Sequence, residues 1–405
     1  MERAYWLAWA HIKDVGPVLI KRLYEHFGLL SLAWQAVPGD LLAVEGIGLV
    51  TADRIGELRS QFNPQQMLDR YITQRLNFWT PADADYPRLL WEIPDPPPVL
   101  YYRGPFRPNQ TAAITVGIVG TRRPSPYGRR WTQRLSRRLS QQQITIVSGM
   151  AAGIDTYAHQ SCLDSEGQTI AVLGTGVDIV YPRSNAGLYQ RILKTGLILS
   201  EYPNGSGPER SHFPRRNRII AGLSHATLVT EAPERSGALI TADFANDYGR
   251  RVYAVPDGLD NPTARGCLIL ANIGATLVTG EQQLVDALLS RDIAHQTTNP
   301  QPKETIGHAQ PVSSNEQSAI SDPSPEISPE PTLTVTLDET LTPIFQSVSH
   351  VPVSLDKLVE ATQLDTSALL SGLLQLELAS LIVQLPGGQY QREPSARAVL
   401  FQKDE

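Results

Sequence analysis

The stretch Gly117-Ile-Val-Gly-Thr-Arg-Arg-Pro-Ser-Pro-Tyr-Gly128 decides how this chain folds. It is an apolar strand that runs directly into a turn bearing glycine and arginine. A parallel α/β sheet places such a turn at the carboxyl end of a strand, where backbone amides and the beginning of the next helix attract an anion. The sequence therefore predicts an anion site at this turn.

The distribution of charge around the turn indicates which kind of anion binds there. The chain has a net charge of -6, yet residues 96–154 contain nine arginines and no Asp, Glu or Lys. Acidic residues accumulate after residue 281, so the average hides a basic middle. Because phosphate binding draws much of its affinity from Lys and Arg, this local excess favours a nucleic-acid partner despite the acidic total.

Strand-like and helix-like segments alternate regularly around the turn. Runs rich in Ile and Val followed by helices of about ten residues are typical of a parallel, doubly wound sheet. The predicted fold class of this core is α/β, with an extended Rossmann-like parallel sheet. The predicted strands cover residues 114–119, 144–147, 169–173, 197–200, 226–230 and 251–255, and the predicted helices cover 127–141, 154–164, 186–193, 216–223 and 238–248.

Glycines and polar residues follow the predicted strands, among them Gly120, Thr121 and Arg122 after the first and Ser148 and Gly149 after the second. Ligands of such sheets bind beyond the carboxyl ends of the strands. The chain has no complete GxGxxG or Walker motif, and no acidic residue stands where a ribose would be held. We therefore expect a phosphate-binding cleft that takes no dinucleotide or other cofactor.

A second basic concentration is Arg210-Ser-His-Phe-Pro-Arg-Arg-Asn-Arg218. Guanidinium groups bind phosphates and an aromatic ring can stack on a base, as binding to a single nucleic-acid strand requires. The alternative for this segment on its own is an exposed charged loop with Phe213 tucked into the core. Combined with the arginines of the first turn, the segment favours nucleic-acid binding.

The chain is predicted to have four parts. Residues 1–78 show helical apolar spacing with Gly-centred breaks at 15–17 and 45–48, which predicts an all-helical, helix-hairpin-helix or SAM-like domain. Its hairpins either bind the DNA backbone or only turn the chain within a small bundle. The Rossmann-like core follows at 79–290, and residues 291–332, rich in Pro, Ser, Gln and Glu, are expected to be a disordered linker.

Residues 333–400 are predicted to form a winged-helix domain, with three helices followed by a hairpin. The segment 366–377, where a recognition helix would lie, contains no Lys or Arg. Major-groove binding requires cations that neutralise phosphates, so this domain is expected to contact protein. A purely structural role is the alternative.

The sequence argues against several other classes of protein. No segment approaches the roughly 18 apolar residues of a membrane span and no signal-peptide pattern opens the chain, so a cytoplasmic protein without a membrane partner is expected. Cys162 and Cys267 lack metal-site spacing and are expected to be buried thiols. No hydrolytic motif accompanies His159 or Glu231, which are expected to be structural, and Asp155 is expected to cap or orient a loop. We therefore expect no enzymatic activity and no bound metal.

Several motifs together resemble one family. They are Gly120-x-Arg122-x-x-Ser125-x-Tyr127-Gly128, Ser148-Gly-x-Ala-x-Gly-Ile-Asp155 and Phe213-Pro-x-Arg216-Asn217-Arg218. With the spacing between them, they resemble the DprA/Smf family (DNA-processing protein A) over about residues 86–289. The resemblance implies an extended Rossmann domain that binds single-stranded DNA and forms homodimers. It also implies that the protein protects incoming single strands and loads RecA recombinase during natural transformation.

The resemblance also implies which residues bind DNA. Arg122 and the cluster 215–218 would hold phosphates, with Phe213 available to a base. Thr121 stands where family members frequently have Ser, which keeps the hydroxyl, whereas Ala152 replaces a longer or basic residue of some members. The expected DNA-binding residues are Gly120, Thr121, Arg122, Ser125, Tyr127, Ser148, Gly149, Phe213, Arg215, Arg216, Asn217 and Arg218.

The alternative function is a nucleotide-processing enzyme of the lysine-decarboxylase-like phosphoribohydrolase type, since the same type of fold serves those enzymes. They resemble this chain at the strand that ends in Thr230-Glu231. They use a Pro-Gly-Gly-x-Gly-Thr-x-x-Glu motif, however, and the only Pro-Gly-Gly of this chain begins at Pro386, in the predicted terminal hairpin. The sequence therefore favours DNA binding over nucleotide cleavage.

Overall fold

The computed structural model describes residues 2–110, 113–290, 335–336, 341–349, 353–362, 364–378, 381–385, 389–392 and 398–399. The chain divides into two compact units, Met1–Glu304 and Thr305–Glu405. The predicted linker at 291–332 and the predicted Pro-Gly-Gly turn lie outside the described residues.

A nine-stranded sheet forms the centre of the first unit. Its strands are β1 (Phe78–Trp79), β2 (Leu100–Arg103), β3 (Thr115–Val119), β4 (Thr145–Ser148), β5 (Thr169–Val172), β6 (Leu197–Ser200), β7 (Ala226–Val229), β8 (Arg251–Ala254) and β9 (Thr276–Leu277). They lie in the order β1-β2-β6-β5-β4-β3-β7-β8-β9. Strands β3 to β9 are mutually parallel, and β2 joins them at one edge through antiparallel pairing with β6. The chain winds outward in opposite directions from β3, so a crevice opens beyond the carboxyl ends of β3 and β7.

Helices cover both faces of this sheet. They are α7 (Arg88–Trp91), α8 (Pro126–Gln141), α9 (Ile154–Asp164), α10 (Ala186–Thr195), α11 (His212–Gly222), α12 (Gly237–Asp247), α13 (Arg265–Asn272) and α14 (Glu281–Leu289), with 3-10 turns at Pro108–Gln110 and Arg183–Asn185. Apolar side chains of α11, α12 and α13 fill the core on one face, and those of α8, α9 and α14 fill it on the other. The described helices include none that is long and apolar enough to cross a membrane.

The helix that follows the opening motif shows how local sequence sets this arrangement. Ser125 caps α8, because its hydroxyl accepts the Gly128 N–H at 3.1 Å, and Pro126 occupies the first helical position. Leu135 and Leu139 are buried against the sheet, whereas most of the arginines of α8 are exposed. The amphipathic spacing therefore places most of the helix's positive charge in solvent.

Residues before the sheet are helical, as predicted. The helices are α1 (Glu2–Trp9), α2 (Pro17–Phe27), α3 (Leu30–Gln35), α4 (Pro38–Leu41), α5 (Leu49–Arg59) and α6 (Pro64–Thr73). Gly16 and Gly48, which precede α2 and α5, have nearly the same extended backbone angles, so the two predicted hairpins repeat one conformation. The Arg3 guanidinium donates to the Phe78 carbonyl at 2.5 Å and the Lys21 ammonium to the Ile93 carbonyl at 2.8 Å. These helices are thus anchored to the sheet within one compact unit, and a separate domain at 1–78 stays a prediction.

The second unit contains the predicted three helices and wing strands. The helices are α15 (Leu341–Ser347), α16 (Leu355–Thr362) and α17 (Thr366–Leu378), and the strands are β10 (Val335–Thr336), β11 (Val353–Ser354), β12 (Ile382–Leu385), β13 (Gln389–Arg392) and β14 (Ala398–Val399). Strand β13 lies between β11 and β12, antiparallel to both. A small core that includes Phe345, Leu369 and Leu373 holds the helices together.

The predicted α/β class, with its extended Rossmann-like core, helical flank and winged helix, is confirmed. Helix α9 and strand β6 begin and end at the predicted residues. Helix α11 begins at His212, four residues earlier than predicted, so Phe213 lies in the first turn of a helix and not in a loop. Strands β1 and β2 were not predicted, because they are short and separated by the proline-rich segment 94–98.

The buried His159 provides a test of this core through pH. Its Nδ1 lies 2.7 Å from the Thr169 hydroxyl, and burial, reinforced by nearby Arg216, lowers its pKa to about 3. Since the folded pKa is below the unfolded value, the stabilising contribution is present above about pH 6.5 and is lost as pH falls toward 3. Between pH 6.5 and 5.0 we expect protonation of this residue in the unfolded chain to lower the unfolding free energy by about 1.6 kcal/mol.

Urea unfolding of the wild-type chain and of His159→Asn at several pH values measures this contribution. Asparagine keeps a polar atom near the Nδ1 position but does not titrate in this range. We expect the variant to be less stable at pH 7.5 and to lose less stability than the wild type on acidification. Equal losses in the two proteins would mean that His159 is not the group that titrates.

Candidate nucleic-acid interface

A cleft of about 600 Å³ opens beyond the carboxyl ends of β3 and β7. The sequence predicted a cleft beyond the carboxyl ends of the strands, and the reversal of strand order at β3 places this one there. Its walls come from the loops after these strands and from the beginnings of α11 and α12. Expected residues that line it are Gly120, Thr121, Arg122, Phe213, Arg216 and Asn217, and Gly149 lines an adjoining recess.

Aromatic side chains and one arginine form a row along this wall. The Tyr181 and Phe213 rings are 5.4 Å apart between centroids and are inclined by 40°. The Arg122 guanidinium carbon lies 5.7 Å from the Phe213 centroid. Phe213 is half-buried, and Tyr181 retains 40% of its surface in solvent. The row therefore offers ring faces next to a cation, the combination that binds a base and its phosphate.

Three exposed arginines surround the cleft, namely Arg122, Arg210 and Arg235. Within the part of the chain that the structure describes, none of the three forms an ion pair with a carboxylate. A cation without a protein counterion keeps its charge available to a ligand. The rim of the cleft is therefore electropositive although the whole chain is acidic.

Arg216 lies beneath this rim and supports it. Its side chain is only 4% exposed, and its Nη1 donates to the carbonyls of Gly149, at 2.6 Å, and Val172. Burial lowers the pKa of Arg216 to about 10, while the nearby Asp155 carboxylate opposes that shift, so the residue stays cationic at neutral pH. The expected phosphate contact is corrected in part, since the guanidinium is held by the fold at the floor of the cleft.

Two glycines at the strand ends leave room for side chains of α11. The space beside them is filled by these side chains and is not open to a phosphate. A side chain at Gly149 would collide with the Arg216 guanidinium, and a Cβ at Gly174 would lie 3.0 Å from the Phe213 ring. Asp155 accepts the N–H groups of Gly149 at 3.1 Å and Ala151 at 3.3 Å, which confirms its expected role in orienting this loop. The glycines therefore let α11 approach the strand ends closely.

Arg218 and Arg215 are directed toward Glu201 and not into the cleft. Arg218 is 3% exposed, with its Nη2 2.5 Å from the Glu201 carboxylate and its Nη1 2.6 Å from the Asp95 carbonyl. The Arg215 Nε lies 3.7 Å from the same Glu201 carboxylate. The expectation that Arg218 holds a phosphate is corrected, because its guanidinium is buried in an ion pair; Arg215 is exposed but does not line this cleft. The side chains of residues 215–218 could not all face the cleft, since successive residues of a helix point in different directions.

Ser125, Tyr127 and Ser148 also lie outside the cleft. Ser125 caps α8, and the Tyr127 hydroxyl donates to the Pro256 carbonyl at 2.8 Å. The buried Ser148 hydroxyl donates to the Ile118 carbonyl at 2.6 Å. Each of these hydroxyls is satisfied by a neighbouring backbone group, so none of the three is directed at a ligand in this cleft.

Glu231 occupies the place where a Rossmann-type sheet would present helix amides to a phosphate. It is 1% exposed, and its carboxylate accepts the Ser125 N–H at 2.9 Å and the Thr263 hydroxyl. Its carbonyl accepts the Thr121 N–H at 2.7 Å. The protein's own anion thus takes an amide at the beginning of α8 and holds the loop that carries Arg122.

Asn217 and residues of the opposite wall complete the cleft. The Asn217 Nδ2 donates to the Gly237 carbonyl at 3.0 Å, which joins α11 to the first residue of α12. Ser236 caps α12 through the Ala238 N–H. The described residues contain no group of three or more His, Cys, Asp or Glu that could hold a metal ion, and Cys162 and Cys267 are buried free thiols as predicted.

The predicted set missed Tyr181, Arg210 and Arg235. Arg210 belongs to the basic segment 210–218, so its charge was a usable signal. Tyr181 belongs to an ordinary Tyr-Pro pair, and Arg235 stands beside Glu234, which suggests local neutralisation. Only the tertiary arrangement brings these residues to the same cleft as Arg122.

Comparison with known proteins agrees with this architecture. The family model described as DNA recombination-mediator protein A matches residues 77–289, which is more than half of the chain. The model described as the DprA winged helix domain matches residues 328–388.

Individual relatives extend the match over nearly the full length. Protein Smf of Synechocystis sp. is 47% identical over 96% of this chain and 99% of its own. The DNA processing protein DprA of Bacillus subtilis is 36% identical over 66% of this chain and 92% of its own. The X-ray structure of DNA processing protein A from Streptococcus pneumoniae superposes with a TM-score of 0.61 at 34% identity, covering 70% of this chain and 96% of that chain. The chain described above therefore belongs to the DprA/Smf family of DNA recombination mediators.

Proposed function

We propose that this protein binds single-stranded DNA in the cleft beyond β3 and β7 and acts as a recombination mediator. The observation that carries the proposal is the row of Arg122, Phe213 and Tyr181, with a cation lying over an aromatic face at the rim. Arg210 and Arg235 add charge around the same cleft. A strand could place its phosphates on the arginines and its bases against the rings.

The aromatic faces favour a single strand over a duplex. Bases of a duplex are stacked on one another, so a side-chain ring can stack on a base only when that base is splayed out. Backbone contacts alone would serve either form of DNA. The combination of both features is therefore the basis for the proposed preference.

Fluorescence anisotropy with one sequence in single- and double-stranded form tests this function. We expect tighter binding to the single strand and a steep loss of affinity between 50 and 200 mM salt, with a slope of about -0.7 for each phosphate contacted. Equal affinities for the two forms at low salt would reject the proposal.

The proposed function is not enzymatic. Glu231 already occupies an amide at the beginning of α8 and is tied to Ser125 and Thr263, so it does not present a free carboxylate to a substrate. The alternative phosphoribohydrolase activity would release a free base from a nucleoside monophosphate. We expect no release of free base from a panel of nucleotides. A measurable rate of release that the variant Glu231→Gln abolishes would instead support the enzymatic function.

As a mediator, the protein would protect incoming single strands and load RecA recombinase on them. The matching family description supports this role. The second unit is a candidate for a protein contact, because the described helix α17 carries no Lys or Arg that could bind phosphate. A pull-down with recombinase, with and without residues 333–405, tests both ideas: capture by the full chain is expected, and no capture would remove the loading role.

We further propose that the first unit pairs with a second copy beside strand β9. Ile269 lies on α13 and Ile273 directly follows the end of that helix, and the two side chains are 38% and 60% exposed. Leu277, on β9, is 38% exposed, and β9 pairs with β8 on one side only among the described strands. An exposed apolar edge of this kind is commonly covered by another chain.

The variant Ile273→Arg is expected to shift the protein from dimer toward monomer in light scattering after size exclusion, because it buries a charge in an apolar contact. Leu49→Arg is the matched control, since Leu49 is also apolar and is 70% exposed but lies in the N-terminal helices. A wild-type monomer, or the same shift in both variants, would contradict this interface.

A further inference from the structure

The arginines of α8 have two different environments. Toward the end of the helix, the Arg134 Nε donates to the Glu281 carboxylate at 2.5 Å and the Arg138 Nη2 donates to the Gln282 amide oxygen at 2.6 Å. These bonds join α8 to α14 and use the guanidinium groups within the fold. The charges of Arg134 and Arg138 therefore need no ligand to explain them.

Near the beginning of α8 the arginines are exposed and lie on aromatic rings. The Arg129 guanidinium carbon is 4.6 Å from the Tyr157 centroid, and that of Arg130 is 5.8 Å from the Tyr127 centroid. Across the described residues, neither arginine forms an ion pair with a carboxylate. The rings restrict each guanidinium, so less side-chain freedom would be lost on binding an anion.

The beginning of α8 already holds one anion of the protein, because the buried Glu231 carboxylate accepts the Ser125 N–H at 2.9 Å. The beginning of a helix carries partial positive charge, and acidic side chains are the usual residues there. The first turn of α8 contains no acidic residue, and Arg129 and Arg130 follow directly after it. Among the described ion pairs Glu231 is not a partner of Arg129 or Arg130, so an external anion at this surface would interact favourably with these two arginines.

A groove of about 470 Å³ lies at this surface. It is lined by Arg129, Arg130, Gln133 and Tyr157, together with residues 124–126. Tyr157 belongs to α9, so the groove runs between the beginnings of two helices. It adjoins the cleft through the loop that carries Arg122, since Arg122 and Pro124 are two residues apart.

We propose that this groove binds the continuation of the same DNA strand after it leaves the cleft. The proposal rests on the single-strand binding proposed above. Arg129 and Arg130 contact successive phosphates, and Gln133 adds a hydrogen-bonding side chain. The ligand class is the phosphodiester backbone of single-stranded DNA, so the groove lengthens the bound segment without reading its sequence.

Strand length separates the groove from the cleft. The full chain is tested by anisotropy with labelled oligothymidylates of about 6 and about 20 nucleotides, a range that spans single-strand site sizes. Three variants are compared with the wild type, namely Arg129→Ala, Arg137→Ala and Arg122→Ala. Arg137 is the matched control, because it is exposed on the same helix but lies two turns beyond Arg129 and outside the groove.

We expect Arg129→Ala to weaken binding of the long strand by about fivefold and to reduce its salt slope by about 0.7, the value for one lost phosphate contact. Binding of the short strand should change by less than about twofold, and Arg137→Ala should change neither, as a distant charge contributes mainly screened, long-range attraction. Arg122→Ala should weaken both lengths.

Other results would overturn the proposal in distinguishable ways. Equal losses in Arg129→Ala and Arg137→Ala would assign the effect to general attraction by the helix. No loss in Arg129→Ala, while the wild type binds both lengths, would remove the groove from the DNA path and leave the cleft intact. If the wild type bound neither oligonucleotide, the proposed function itself would fail.

Discussion

Replacing Arg122 with alanine is expected to weaken binding of single-stranded DNA by about 10- to 100-fold, which corresponds to one lost charge-assisted hydrogen bond of about 1.5 to 3 kcal/mol. Arg122 is exposed at the rim of the cleft, and its guanidinium lies over the Phe213 ring. It has no ion pair with a carboxylate among the described residues, so its truncation should change the unfolding free energy by less than about 0.5 kcal/mol.

Arg215→Ala is the matched control for this prediction. Both arginines are exposed and both belong to the set expected from sequence, but the Arg215 Nε faces Glu201 at 3.7 Å and does not line the cleft. Anisotropy with a single strand should show a large loss for Arg122→Ala and a loss of less than about threefold for Arg215→Ala. Equal losses of affinity in the two variants would mean that the total positive charge of this region matters more for DNA binding than the position of each arginine.

The variant Arg218→Ala is expected to destabilise the first unit by about 3 to 5 kcal/mol, because it removes the closer and buried cation from the Glu201 carboxylate. The Glu201 side chain is 8% exposed and its Oε2 lies 2.5 Å from the Arg218 Nη2. The Asp95 carbonyl would lose a donor at 2.6 Å as well. Thermal unfolding should shift by roughly 10 °C for a unit of this size.

Two further measurements distinguish this structural role from a DNA contact. The double variant Arg218→Ala with Glu201→Gln should recover part of the lost stability, since the orphaned group is then neutral. At low temperature, where the single variant is folded, its affinity for single-stranded DNA should lie within about threefold of the wild type. A binding loss with unchanged stability would place Arg218 in the interface after all.

The sequence was sufficient for the central alternation of strands and helices in the core. Alternation of apolar strands and amphipathic helices depends on periods of two and 3.6 residues, which are local properties of the chain. For this reason α9 and β6 could be placed to the residue. The start of α11 was missed, because a run of arginines before Ile219 reads as a polar loop when its tertiary contacts are unknown.

The same limit applies to the arginines of the candidate site. The sequence by itself determined that this chain has a parallel α/β core with a basic turn at the carboxyl end of a strand, because the alternation of strands and helices and the position of the turn follow from local patterns. Only the tertiary structure decided which arginines remain available. Arg216 and Arg218 are buried by carbonyl and carboxylate partners that lie 17 or more residues away in sequence, whereas Arg122 has no such partner among the described residues. The charge of a guanidinium is local, but its availability depends on which distant groups the fold brings into contact with it.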